Sequence, residues 1–351
     1  MAESNIHRGK RQRYPLLDFV RYIAALLVAN LHWSLKFSDD YSPIFGIPVL
    51  GNLTRNGAIG VPIFFIISGY VILETAWRKN SIDFIIARFT RLFPGLLICM
   101  TLVLAMELKF NDTFFPTPIK SWINSIFLTY TLTNTKPLAA QLWTLVVEVK
   151  FYILIALLLL LLGNKFRSVP LQVSLITVWQ LFFVFAPFDA LKQYISLGTA
   201  DFLFGLGVSI SLLLMSRSSR RNTLLTFPLA IYFLIRVLSD YKTNHTLLIF
   251  FFCTIVAISV SSFGILRKLP ARFFEYLGQA SYLIYLLHVQ FGQGFLTIML
   301  KYSDINIYFL VILDIIFITC LSIFIAIFVE SKIQNWIRTF AKWSTKAIKG
   351  L

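Results

Sequence analysis

Charge is scarce in this chain. Only 14% of its 351 residues are Asp, Glu, Lys or Arg, while 58% are hydrophobic. Soluble domains carry about 25% charged residues, so this composition excludes an ordinary soluble fold and indicates a polytopic membrane protein. Period-2 alternation is lacking as well. Phe (35 residues) and Leu dominate long unbroken apolar runs, which excludes barrel strands and leaves helices as the spanning elements. Cysteine is sparse: Cys99, Cys253 and Cys320 all fall inside apolar runs without metal-ligand spacing. They read as packing residues rather than a disulfide or redox set. A cleavable signal peptide is not expected. The basic HRGKRQR stretch precedes an apolar segment too long for an h-region and without a clear small-residue cleavage site. The two halves show no convincing similarity, so the internal repeat common in secondary transporters is missing too.

The chain is therefore expected to be all-α, with about ten transmembrane helices. They fall at roughly 15–34, 58–77, 92–109, 142–162, 170–187, 196–215, 223–239, 246–263, 276–300 and 307–329. The segment 119–134, with Trp122 and Tyr130, is too short and polar for a span and reads as interfacial or re-entrant. Basic residues outnumber acidic ones by 32 to 16, and their placement sets the orientation. One side carries the N-tail (Arg8, Lys10, Arg11, Arg13), Arg78, Lys79, Arg88, Arg91, Lys165, Arg167 and the later clusters at 217–221, 267–272 and 332–349. The other carries only Lys36, Arg55, Lys120, Lys136, Lys192, Lys242 and Lys301. A bias of roughly three to one over every loop puts both termini in the cytoplasm. Residues 1–14 become a basic cytoplasmic N-tail, 15–329 the transmembrane domain and 330–351 a basic cytoplasmic C-tail. The net charge of +16 is then a topological signal. Membrane lipid, not nucleic acid, is the partner it implies.

Ionisable residues inside such spans are costly and mark sites. Arg21 and His32 are eleven residues apart in the first span. On a helix they share a face, separated by roughly 16 Å along the axis. With orientation fixed, Arg21 lies toward the cytoplasm and His32 at the outer end. Glu148, Asp201 and Asp314 fall in outer halves and His288 near the midplane. A carboxylate at 148 has no charge at i±3 or i±4, so it needs a partner on another helix. Arg88 and Arg91, i,i+3 neighbours if helical, offer two guanidinium forks suited to phosphate. Each feature alone also fits a structural role: Ser68-Gly69 packs helices closely, paired arginines anchor a loop, and a histidine can be satisfied in a core.

Five segments together resemble one family. They are Arg21 with ten residues before His32, Phe64-Phe65 to Ser68-Gly69-Tyr70, Arg88-x-x-Arg91 before Pro94, Trp143 to Glu148 to Phe151-Tyr152, and Ser281-Tyr282 to Tyr285 to His288. In this order they resemble the acyltransferase-3 family of integral-membrane O-acyltransferases. Thr144 stands where that family usually has Ser, and Glu330-Ser331-Lys332 lacks the proline of the frequent closing Glu-x-Pro.

The resemblance implies transfer of an acyl group, acetyl by family prevalence, from cytoplasmic acyl-coenzyme A. The acceptor would be a hydroxyl of an outward-facing polysaccharide or glycolipid at a bacterial inner membrane, and no metal is needed. With no extracytoplasmic hydrolase-like domain following, the membrane domain would complete the transfer itself. His32 would be the general base, with Glu148 orienting it. Arg88 and Arg91 would hold coenzyme A phosphates. Arg21, steadied by Asp18, would guide the pantetheine arm past Ser68, Tyr285 and His288. Asp201 and Asp314 would meet sugar hydroxyls, and Trp143 would support the site. An alternative from another class is a proton-coupled exporter of a lipid-linked or acylated glycan, with His32, Glu148 and His288 as a relay. A membrane scaffold without chemistry is a third.

Overall fold

The computed structural model describes residues 14–33, 56–110, 117–185, 196–198, 200–241, 245–262, 271–302 and 305–349. The N-tail residues 1–13 lie outside the described residues, as do Lys36, Arg55, Lys192, Lys242, Arg267 and Lys268. Every regular element among the described residues is helical. In chain order these are α1 (Pro15–Leu31), α2 (Gly60–Trp77), α3 (Ser81–Phe110), α4 (Thr117–Ile126), α5 (Trp143–Leu162) and α6 (Val169–Phe185). They continue with α7 (Ala200–Ser216), α8 (Arg220–Tyr241), α9 (His245–Ser262), α10 (Ala271–Leu287), α11 (Gly294–Tyr302), α12 (Ile307–Phe324) and α13 (Ser331–Lys349). In apolar surroundings a helix is the element that satisfies its own backbone, which is why these runs fold this way. Among the described residues, six helical stretches are long and apolar enough to cross a membrane: 57–77, 81–109, 140–167, 220–241, 272–302 and 309–340. Three shorter apolar helices accompany them, at 169–183, 200–216 and 251–261.

Several boundaries differ from those expected, each for a physical reason. Helix α3 runs unbroken for 30 residues through Pro94, because membrane helices tolerate a proline where neighbours supply hydrogen bonds. Close by, the Tyr282 hydroxyl donates to the Leu92 carbonyl at 3.1 Å, whereas the carbonyl that loses its helical partner at Pro94 is that of Thr90. Helix α4 has ten residues, too few to span a bilayer. Its end is fastened by Asn124, whose Oδ1 accepts hydrogen bonds from Thr129 and Thr133. Helix α10 starts at Ala271, five residues before the expected 276. Two π-helical turns, His288–Gln293 and Ile325–Glu330, interrupt otherwise continuous helices, and residues 331–349 form a strongly amphipathic helix.

Helices α1, α2, α7 and α10 form the centre: α2 packs along α7, and α1 along α10 and α2. Small residues make this approach possible. A Cβ on Gly207 of α7 would overlap the Ile66 carbonyl, and one on Gly69 of α2 would overlap that of Phe204. Ser68-Gly69 thus permits the close helix approach that its small residues predict. Because the obstruction is backbone on both sides, neither helix can yield. Gly207→Leu is expected to cost about 1–3 kcal/mol of stability or more. Thermal unfolding in detergent would show the drop; an unchanged midpoint would contradict the packing described.

Candidate active site

A cavity of about 600 Å³ lies among α1, α2, α3, α5, α10 and α13. Of the residues singled out in the sequence, Asp18, Arg21, Ser68, Arg88, Arg91, Glu148 and Tyr285 all line it. Its wall also carries Arg78, Lys79 and Arg338, so six cations face carboxylates at 18, 74, 148 and 275. A basic pocket of this size suits a polyanionic ligand with a long neutral arm.

Each arginine is held by its own helix packing. Arg88 and Arg91 do fall at i,i+3 on one continuous helix. Arg88 donates from Nη2 to Thr75 Oγ1, and its guanidinium stands 5.4 Å from the Phe84 ring and 5.5 Å from that of Tyr152. Arg91 donates from Nη2 to the Gly278 carbonyl at 2.9 Å. Arg21 pairs with Asp18 at 3.9 Å, and the charges of Arg91 and Glu148 also act on it. Gly278 is where these strands of the site meet. Its carbonyl takes Arg91 and the Ser281 hydroxyl, and a Cβ there would run into the Asp18 side chain.

Glu148 accepts hydrogen bonds from Ser68 (3.3 Å) and from Tyr152, four residues on along its own helix. Of these two, the Ser68 bond comes from another helix. The expected pairing of Glu148 with His32 is not present. The carboxylate instead sits within the arginine cluster, where it offsets positive charge.

The partner of His32 is His288. Their rings stand 4.9 Å apart at 67°, with His288 Nε2 3.3 Å from His32 Nδ1. Sequence counting separated the two residues in depth, but both lie seventeen positions after the start of a helix, at Pro15 and at Ala271. That is roughly 26 Å of rise in each case. The carbonyl neighbours fix the tautomers, since a carbonyl oxygen only accepts. His32 Nδ1 lies 2.8 Å from the Val28 oxygen and His288 Nδ1 2.7 Å from the Tyr285 oxygen, so both Nδ1 atoms carry hydrogen. In the neutral pair, His288 Nε2 then accepts a share of the His32 Nδ1 hydrogen, and His32 Nε2 is the unprotonated, basic nitrogen. His288 is completely buried, whereas His32 is partly open.

The π-helical turn after α10 builds this corner, and such turns concentrate at functional sites. Side chains take carbonyls at the junction: Trp33 Nε1 donates to that of His288, the first residue of the turn, at 2.9 Å, and Gln141 Nε2 to that of Leu286, in the last turn of α10, at 2.7 Å. In return Gln293 Nε2 donates to the His32 carbonyl at 2.9 Å. Tyr285 links the corner to the cavity it lines. Its ring lies 5.6 Å from His288 and 5.9 Å from Phe64, and its hydroxyl accepts from Thr144 at 3.0 Å.

The remaining singled-out residues lie elsewhere. Trp143 is half exposed on the outside of α5, touching the site only through Phe65 at 6.3 Å. Asp201, in the first turn of α7, is bound by Trp179 Nε1 (2.9 Å) and Gln180 Nε2 (2.7 Å). Asp314 is fully buried, and neither of its oxygens is hydrogen-bonded to the described residues. None of the three lines the cavity. Missed in the sequence were Trp33, Gln141 and Gln293, polar groups at the ends of apolar runs that carry no pattern of their own. Arg338 and Gln334 were absorbed into a basic tail.

Comparison with known proteins fits this arrangement. The chain is similar to an O-acetyl transferase of Shigella phage Sf6, at 38% identity over 87 residues (24% of either chain). It is similar to the peptidoglycan O-acetyltransferase OatA of Listeria monocytogenes at 30% over 111 residues, 30% of this chain and 15% of that one. It also resembles nodulation protein 10 of Rhizobium leguminosarum bv. viciae at 28% over 235 residues, 59% of this chain and 62% of the other. The chain thus spans less than two thirds of each of these relatives. No solved structure matches it. A family model described as an acyltransferase domain matches residues 14–330, which takes in every helix from α1 to α12. On that extent of match the chain belongs to the acyltransferase-3 family.

Proposed function

We propose that this protein is a multi-pass inner-membrane O-acyltransferase. It moves an acyl group, acetyl in the simplest case, from cytoplasmic acyl-coenzyme A to a hydroxyl of an extracytoplasmic glycan or glycolipid. The observation that carries the reading is a basic cavity whose wall residue Tyr285 lies 5.6 Å from His288, which is itself paired with His32. Ten spans and cytoplasmic termini, from the loop charges, belong to the same reading. They put the cavity mouth on the donor side and His32 on the acceptor side.

The donor phosphates lie against Arg88 and Arg91. The pantetheine arm runs past Arg21, Ser68 and Glu148, bringing the thioester to the Tyr285 end. His32 Nε2 takes the proton of the acceptor hydroxyl as its oxygen attacks the thioester carbonyl. The tetrahedral intermediate collapses, the C–S bond breaks, and the imidazolium returns its proton to the departing thiolate. His288 holds His32 in the tautomer this step needs. Glu148 keeps the cavity arginines ordered and touches no reacting atom. Asp201 and Asp314 are assigned no contact with the acceptor in this scheme.

Two experiments bear on it. Purified protein in vesicles, given labelled acetyl-coenzyme A and a glycan acceptor, is expected to label the glycan without a proton gradient. Transfer that needs a gradient, or none with any hydroxyl acceptor, would favour the exporter. Arg88→Ala is expected to raise the donor KM about tenfold with a smaller fall in kcat. The reverse pattern would remove Arg88 from phosphate binding.

A further inference from the structure

Helix α13 begins at Ser331, one residue after the family match ends at 330, yet two of its side chains, Gln334 and Arg338, line the cavity. They form a chain of hydrogen bonds one helical turn per step. Arg338 Nη2 donates to Gln334 Oε1 at 3.3 Å, and Gln334 Nε2 donates to Glu330 Oε1 at 2.7 Å. Glu330 is fully buried, and the charge of Arg91 acts on it. Gln334 is buried as well, whereas Arg338 is exposed at the rim. Trp336 and Phe340, stacked 5.8 Å apart, are exposed two positions away from this line, on the opposite side of the helix. Aromatic residues in that position anchor a helix in a membrane interface. The polar line then faces inward.

We propose that Arg338 is a donor-binding residue contributed by this helix beyond the family domain: it holds a phosphate at the nucleotide end of acyl-coenzyme A. This rests on the donor assignment made above. Gln334 and Glu330 are positioning residues. A glutamine oxygen accepting from one Nη leaves the rest of the guanidinium fork for an anion, and the buried Glu330 fixes the glutamine. The nucleotide end carries the charge of the donor, and a rim residue meets it last on the way in. The arginines deeper in the cavity are left for the inner part of the molecule. Because Arg338 is exposed and its replacement leaves no buried group unpaired except through Gln334, the variant keeps its fold.

The test compares two donors on the purified full-length protein. Acetyl-coenzyme A carries the nucleotide and its phosphates; acetyl-pantetheine lacks both. Arg338→Ala is expected to raise KM for acetyl-coenzyme A about tenfold, the size of one charge-assisted contact. It should leave kcat within about twofold and KM for acetyl-pantetheine unchanged. Gln334→Leu should give a smaller rise of the same kind. Equal KM values for variant and wild type with acetyl-coenzyme A would overturn the proposal. So would an equal rise with both donors, which indicates a structural effect. If the wild type uses neither donor, the donor assignment itself has failed; if it uses acetyl-coenzyme A and Arg338→Ala is silent, only this inference has.

Discussion

His32→Ala is expected to lower kcat for acyl transfer by about 10²–10⁴-fold, the usual worth of a positioned general base, with donor KM little changed. His32 is not among the residues lining the cavity, so its replacement leaves the proposed phosphate contacts in place. Its side chain is partly open and sits at the end of α1, so alanine removes the base without opening a sealed core. Steady-state transfer to a fixed acceptor, with folding checked by thermal unfolding, decides the matter. Wild-type turnover in a folded variant would end the mechanism, because His288 Nε2, the other unprotonated ring nitrogen of the pair, already accepts from His32.

The second large effect is expected at His288. Leucine there removes one acceptor of the His32 Nδ1 hydrogen and keeps the Val28 carbonyl, at 2.8 Å, to orient the ring. A loss of about 10–10²-fold in kcat is expected, smaller than for His32 because one orienting bond survives. The informative variant is the double one. If the two histidines act as a unit, His32→Ala combined with His288→Leu will be no slower than His32→Ala alone. Multiplying losses would mean that His288 acts separately, on the donor path. Gln293 and Trp33, which tie the corner together through the carbonyls of residues 32 and 288, should show weaker losses of the same kind.

Much of the cavity was legible because its signal is one-dimensional. The cost of burying an ionisable group does not depend on which helix it meets, so Arg21, Glu148 and Asp18 stood out from their apolar surroundings. Spacing along one helix also sufficed for Arg88 and Arg91, whose i,i+3 relation survived because α3 runs straight through Pro94. The pattern failed where partners had to be chosen. Glu148 found a phenol on its own helix, at Tyr152, where the sequence reading looked for charges only. Its pairing with His32 gave way to His288, 256 positions distant.

The amino-acid sequence by itself determined the helical, membrane-spanning class, the basic bias of the loops and the motifs that place the chain in its family. Each is a local property, set by how a residue or a short run partitions between water and lipid. Tertiary structure alone decided which polar groups meet. It brought two helix starts, Pro15 and Ala271, to one level so that two histidines touch. It opened a π-helical turn whose first carbonyl accepts Trp33, set Gln141 on the last turn of α10, and folded Arg338 back onto the cavity rim. Those pairings depend on the packing of backbones at Gly69, Gly207 and Gly278, where a missing Cβ lets the chains approach, and no pattern along a single helix encodes the contact between two.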